Sequence, residues 1–264
     1  MIPLKDDIPT RRFPFLTVAL IAINVGMFLF FQGAFLDSER EFNQTVAEYG
    51  AIPYEISHPG RQCALADGGQ VICEGQEGVR GQAPEDLAPT WLTLLTSMFM
   101  HGGLLHIGFN MLFLWIFGNN IEDSMGRLRF VGFYLIGGLV ALGLQTLVEP
   151  DAAVPTIGAS GAVAAVLGGY ALLYPRARVV TLVLIVIFFT VIRLPALIVL
   201  GAWILLQLAA GAADLASPVG EGDAGGVAYF AHIGGFVFGL LAIKLFANRV
   251  HEDYTQARRS PVLG

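Results

Sequence analysis

Charged side chains are scarce in this chain. Lys, Arg, Asp and Glu supply 14% of its 264 residues, apolar types supply 55%, and the mean hydropathy is +0.66. A soluble domain carries about 25% charge. The deficit excludes an ordinary soluble globule and identifies a membrane protein before any single residue is considered. No basic patch or nucleic-acid motif is present, which excludes a nucleic-acid partner. No internal repeat is visible. Acidic residues are absent from every predicted span. Cysteine is nearly absent too, with only Cys63 and Cys73.

What is present is a series of long apolar runs. Measured against the roughly 20 residues needed to cross a bilayer, the candidate spans are roughly 13–31, 94–117, 130–148, 157–174, 195–213 and 227–247. A seventh run, "VVTLVLIVIFFTVI" (179–192), has only 14 residues before the break at Pro195. Such a length predicts an interfacial or re-entrant segment rather than a span. The N-terminal "TRRFPFL" has the twin arginines of an export signal, but the apolar run after it is long and has no small-residue cleavage site. It is read as the first membrane helix.

With six spans and a cytoplasmic N-terminus, the inside segments hold Lys5, Arg11, Arg12, Arg127, Arg129, Arg176, Arg178, Arg193, Lys244, Arg249, Arg258 and Arg259, and the outside segments hold Arg40, Arg61 and Arg80. Twelve against three is a strong positive-inside bias. Counting 179–192 as a span would weaken it. The expected organisation is a cytoplasmic N-terminus (1–12), a membrane domain (13–247) with an exported first loop of about residues 32–93, and a cytoplasmic tail (248–264). An exported loop can form disulfides, so a bridge closing "CALADGGQVIC" is expected, the alternative being two unpaired thiols.

Polar groups inside spans are the candidate functional residues. "HGGLLHIGFN" (101–110) is assigned to the second helix, which enters from outside. His106 and Asn110 are four apart and share a face, and His101 lies nearer the outer surface. "TIGASGAVAAVLGGY" (156–170) opens the fourth helix with Ser160, and "AHIGGFVFG" (231–239) opens the sixth with His232. All of these groups fall in the outer half of the bilayer. Gly235 and Gly239 form a small-xxx-small face, with Gly158 and Gly161 flanking the serine, and such faces allow close helix contact. Ser160 is therefore expected within reach of His232. A serine beside a histidine is an activated nucleophile. Donors for an oxyanion are available from Asn110, His106 and the Ser160 backbone amide at a helix N-terminus. Asp214 and Asp223, in the fifth loop, are weak candidates to orient the histidine, so a Ser-His dyad is the simpler reading. The same residues admit other functions: helix glue for the serine, or a transporter or metal-binding channel built on His101, His106 and His232.

With these stretches in view, the chain resembles the rhomboid family of intramembrane serine proteases. The resemblance is carried by "HGGLLHIGFN", "IGASGAVAAVLGGY" and "AHIGGFVFG" in that order, with "PFLTVALIAINVGMFLF" and "NIEDSMGRLRF" similar to the first helix and the second-to-third loop. It implies an all-α polytopic membrane protein, a six-transmembrane-helix bundle with a water-filled cavity open to the outside of a bacterial or archaeal plasma membrane. It implies Ser160 as nucleophile and His232 as general base, with His106, Asn110 and the Ser160 amide on the oxyanion, and no metal or cofactor. Its partners are the lipid bilayer and transmembrane protein substrates, cut in or near their membrane segments. The fifth helix and the loop after it, "DLASPVGEGDAGG" (214–226), are the implied gates. A non-catalytic relative that routes membrane proteins is the alternative within the family.

Two positions depart from that pattern. Many members carry an aromatic residue four after the serine, against the catalytic histidine; here that position is Ala164. Many also carry a Trp-Arg pair in the first loop; here Trp91 is followed by Thr93 where the arginine is expected.

Overall fold

The computed structural model describes residues 1–35, 38–66, 69–76, 88–185, 188–216 and 226–248. Asp223, most of the 214–226 loop and all but the first residue of the 248–264 tail lie outside the described residues.

Strand β1 (Ile2–Asp6) leads into α1 (Phe15–Gly26), which ends in a wider π turn over Met27–Phe31. Pro14 precedes the first turn of α1, and its orphan amides are met in trans. Glu122 accepts hydrogen bonds from Leu16 N (3.1 Å), Thr17 N (2.8 Å) and Thr17 Oγ1 (2.8 Å). A carboxylate there satisfies free N–H groups and the positive end of the helix dipole together.

The first loop folds on its own small core. Helix α2 (Glu39–Tyr49) starts at a Ser38–Glu41 capping box, and α3 (Pro53–Ser57) starts on a proline. Strands β2 (Cys63–Leu65) and β3 (Val71–Cys73) pair antiparallel with Cys63 opposite Cys73, and the two are disulfide-bonded. Ile52, Tyr54 and the bridge form the buried centre.

The second predicted span, 94–117, is two separate pieces. Helix α4 (Thr90–Thr96) ends in a tighter turn over Ser97–Phe99, and the chain turns at 100–103. The membrane helix proper begins later. It runs from α5 (Leu104–Phe113) through a π turn at Leu114–Gly118 into α6 (Asn119–Met125). Two glycines, Gly102 and Gly103, break the apolar run there. His101 is consequently not on the second helix. It lies in the turn before it, fully buried, where Gln32 binds both of its backbone polar groups (3.0 and 2.9 Å).

Gly126, at φ +80°, makes the sharp turn into α7 (Arg127–Val148). Helix α8 (Ser160–Leu173) is the centre of the molecule, with every residue from Gly161 to Ala171 buried. Its Gly and Ala side chains let α7 and α10 (Tyr229–Phe246) approach closely. Helix α9 (Ala196–Ala216) joins on the outside of α10. Among the described residues, four helices are long and apolar enough to cross a membrane: Leu104–Met125, α7, α9 and α10. Phe15–Phe31, Thr90–Phe99 and α8 are shorter apolar helices.

The run 179–192 is not helical. It forms a hairpin of β4 (Arg178–Ile185) and β5 (Phe188–Pro195), registered from Arg178 opposite Pro195 to Ile185 opposite Phe188. Its two ends therefore emerge together. Density of Val, Ile and Thr favours strand over helix here. β1 adds antiparallel to β4, making a three-stranded sheet ordered β1-β4-β5. The expectation of an all-α chain holds for the membrane helices; these two small sheets are additions to it.

Candidate active site

Ser160 is the first residue of α8 and His232 lies in the first turn of α10. Both are held by backbone contact between these helices. A β-carbon at Gly235 would lie 2.1 Å from the Gly161 carbonyl oxygen, one at Gly239 2.0 Å from that of Ala165, and one at Gly168 2.1 Å from that of Phe236. Only hydrogen fits at these three places. The Gly161 position also faces the Ala231 carbonyl, 3.9 Å from where its β-carbon would be. Ser160 and His232 are not hydrogen-bonded to one another; His232 Nδ1 lies 2.7 Å from Gln207 Oε1.

His106 reaches the same place from α5. A β-carbon at Gly158 would lie 2.7 Å from His106 Nε2 and 3.4 Å from Ser160 Oγ, so these two atoms flank one point above Gly158. Gly158 itself has φ +123°, and its N–H donates to the Ser97 carbonyl at 2.8 Å. The tautomer of His106 follows from its partner. Gly102 N–H donates to Nδ1 at 3.3 Å, which makes Nδ1 the acceptor and leaves the proton on Nε2. Nε2 is thus a donor aimed at the space beside Ser160. Asn110 is buried one turn below and returns one N–H to the His106 carbonyl at 3.0 Å. A cleft lined by Ser97, Thr156, Gly158, Ser160 and Ala231 opens at this point. His101 stands behind, its ring edge-on to His106 at 5.1 Å.

Two residues outside the sequence-based set touch His232. Gln207 Oε1 lies 2.7 Å from Nδ1, and the Trp203 ring lies 5.7 Å from the imidazole at 38°. Trp203 sets a ring against His232 from α9, where position 164 of α8 has only Ala164. Ala164 is itself fully buried, with its β-carbon 3.2 Å from where one at Gly235 would be. A ring at 164 would not fit this contact. The signal for Gln207 was available in "WILLQLAA": an amide in an apolar span is a site hypothesis by default. Among the described residues, no acidic side chain is hydrogen-bonded to the histidine. Glu149 is bound by Gln145 Nε2 at 2.6 Å, and Gln145 Oε1 accepts Ala231 N–H at 3.1 Å, so this pair caps α10. Among the described residues, no group of three His, Cys, Asp or Glu is placed to hold a metal ion.

The rhomboid domain matches residues 88–249. The chain belongs to the rhomboid family. It is 32% identical to mitochondrial Rhomboid protein 1 of Saccharomyces cerevisiae over 163 residues, covering 60% of this chain and 42% of that protein. It is 39% identical to Rhomboid protease GluP of Bacillus subtilis over 84 residues, 32% of this chain and 16% of that one. RHOMBOID-like protein 4 of Arabidopsis thaliana is 31% identical over 180 residues, 64% and 37% of the two chains. The matches span less than half the length of each of these relatives. This rhomboid protein is an integral, multi-pass membrane protein, as the family and its apolar helices together require. The rhomboid match runs from just before α4 to just after α10, and leaves out the disulfide-closed part of the first loop.

Proposed function

We propose that this chain is an intramembrane serine endopeptidase that hydrolyses peptide bonds in or near the transmembrane segments of membrane proteins. Ser160 Oγ attacks the scissile carbonyl and His232 Nε2 takes its proton. His106 Nε2–H, the second N–H of Asn110 and the Ser160 amide receive the oxyanion. The proton then passes from His232 to the leaving amine, and water repeats the sequence on the acyl-enzyme. The observation that carries the reading is the meeting of Ser160 Oγ and His106 Nε2 above Gly158, beside the glycine contact that brings α10 and His232 against α8.

Depth supports the same reading. Helix α8 has 14 residues, about 21 Å at 1.5 Å per residue, against a hydrocarbon thickness of about 30 Å. A helix that short, with its far end at the cytoplasmic boundary, leaves its first residue below the opposite surface. Substrate bonds within the membrane then lie at the height of Ser160. The twelve-to-three distribution of Lys and Arg supports six spans, cytoplasmic termini and a site opening outward across a prokaryotic plasma membrane. The hairpin at Arg178–Pro195 fits a cytoplasmic position, and the Cys63–Cys73 bridge fits an oxidising exterior.

The test is reconstitution with a transmembrane substrate, together with labelling by a serine-directed phosphonate. Wild type cleaves and is labelled, whereas Ser160→Ala does neither and melts at the wild-type temperature. Equal cleavage by both proteins, or absence of labelling in the wild type, overturns the proposal. Binding of membrane proteins without cleavage identifies the non-catalytic alternative.

A further inference from the structure

Resting on the reading of His232 as the general base, the geometry points to Gln207 as a positioning residue that holds this imidazole in its working tautomer from a separate helix. The amide oxygen of a glutamine can only accept. At 2.7 Å from Gln207 Oε1, Nδ1 of His232 must therefore be the nitrogen that carries hydrogen. That leaves the lone pair on Nε2, the nitrogen required to take the Ser160 proton. A third group that orients the base is the general logic of activated nucleophiles, and among the described residues a neutral amide supplies it here.

Trp203 makes the arrangement a two-point contact. It lies four residues before Gln207, one turn away on the same face of α9. Its ring meets His232 at 5.7 Å and, one turn further along α10, Phe236 at 6.1 Å. The 203/207 pair thus sits on the 232/236 pair. Trp203 fixes the plane of the imidazole and Gln207 fixes its rotation within that plane.

The location of these groups has a consequence. Of the four long apolar helices among the described residues, α9 is the least covered by protein, with 22% of its most apolar stretch buried against 39–50% for the others. Its first residues are tied down, Ala196 N–H to the Ala177 carbonyl at 2.7 Å and Leu197 N–H to that of Pro175 at 3.2 Å. A tilt of α9 about this anchored end breaks the Gln207 contact and releases the base. Docking of α9 is thereby a condition for activity as well as a boundary of the site.

The experiment uses the full-length protein reconstituted with a transmembrane substrate, comparing Gln207→Met and Gln207→Glu. Met keeps the side chain's length and removes the acceptor, while Glu keeps an acceptor oxygen in either protonation state. Gln207→Met is expected to lower kcat about 10- to 100-fold with KM and melting temperature near wild type, and Gln207→Glu to recover most of the loss. In 15N-histidine spectra, with His232→Ala as the reference, the wild-type His232 signal is that of the Nδ1–H tautomer, and Gln207→Met converts it to a mixture. Should Gln207→Met cleave at the wild-type rate with the tautomer unchanged while Ser160→Ala is inactive, the positioning role is overturned and the protease reading stands. Should wild type and Ser160→Ala behave alike, the underlying reading fails instead. If Gln207→Met does not fold, Gln207→Glu decides: an Nδ1–H tautomer lost in a folded Glu variant also overturns the role.

Discussion

Gly235 of α10 lies so close to the Gly161 carbonyl of α8 that an added β-carbon would sit 2.1 Å from that oxygen. No rotamer change relieves such a clash, because the obstacle is backbone. Gly235→Ala must push α10 away from α8, and His232 moves with it. The expected cost is about 1–3 kcal/mol of overpacking, with phosphonate labelling of Ser160 reduced by at least about tenfold. Gly143→Ala is the control, since nothing lies within 4 Å of its β-carbon position. Thermal melts and labelling rates in detergent check both.

Gly158 is predicted to be irreplaceable for two separate reasons. Its φ of +123° is costly for any residue with a β-carbon, and that carbon would fall 2.7 Å from His106 Nε2. Glycine-to-alanine changes at such backbone angles destabilise by more than about 1 kcal/mol. Gly158→Ala is expected to lose labelling and cleavage together, because the displaced group is the proposed oxyanion donor. A smaller loss in melting temperature than for Gly235→Ala, with an equal or greater loss of activity, is the pattern to look for.

The parts of the first loop that flank the Cys63–Cys73 bridge are tied to the segment that leads into Ser160. Tyr54 N–H donates to the Ala152 carbonyl at 3.1 Å, Gln76 Nε2 to that of Asp151 at 3.2 Å, and Thr156 N–H to that of Ala51 at 2.8 Å. Ten positions separate Cys63 from Cys73, so loop-closure entropy places the bridge at about 2–3 kcal/mol. Cys63→Ser with Cys73→Ser is expected to expose the backbone of residues 149–157 to faster hydrogen exchange while leaving α7 and α10 protected. Unchanged exchange in that segment would show that the loop and the Ser160 approach are independent.

The membrane helices and the polar residues near their ends were legible because lipid imposes a simple code. Apolar length marks a crossing, and a polar group inside one stands out. Thus Ser160, His106 and His232 were visible before their positions were known. His101 was misplaced because the run "TLLTSMFMHGGLLHIGF" is apolar throughout, so hydropathy cannot register the turn that Gly102 and Gly103 impose. The strands at 178–195 were hidden for a related reason: length excluded a span, but periodicity cannot separate a short apolar strand from other buried segments. Gln207 and Trp203 were harder still. Gln207 lies 25 residues from His232 in sequence and Trp203 four further, on a different helix, and only helix rotation decides which face of α9 meets α10.

The sheet that β1 forms with β4 and β5 supplies a pH-dependent prediction. Asp6, at the end of β1, is buried with its Oδ2 accepting from Tyr170 Oη at 2.6 Å and Asn120 Nδ2 at 2.7 Å. Burial raises its pKa from 3.8 to about 6, against the lowering effect of the Tyr170 hydrogen bond; neighbouring Asp7 raises it further and Lys5 lowers it. A carboxyl with a raised folded-state pKa is favoured in its protonated form. Its contribution is complete below about pH 4 and is lost as pH rises through about 6. The interval corresponds to at most about 3 kcal/mol. Asp6→Asn keeps the acceptor for Tyr170 and cannot ionise. It should therefore raise the melting temperature relative to wild type at pH 8, with the difference shrinking toward pH 4. Thermal melts across that range test the sign: a variant less stable than wild type at pH 8 would mean that the ionised carboxylate holds β1 in place.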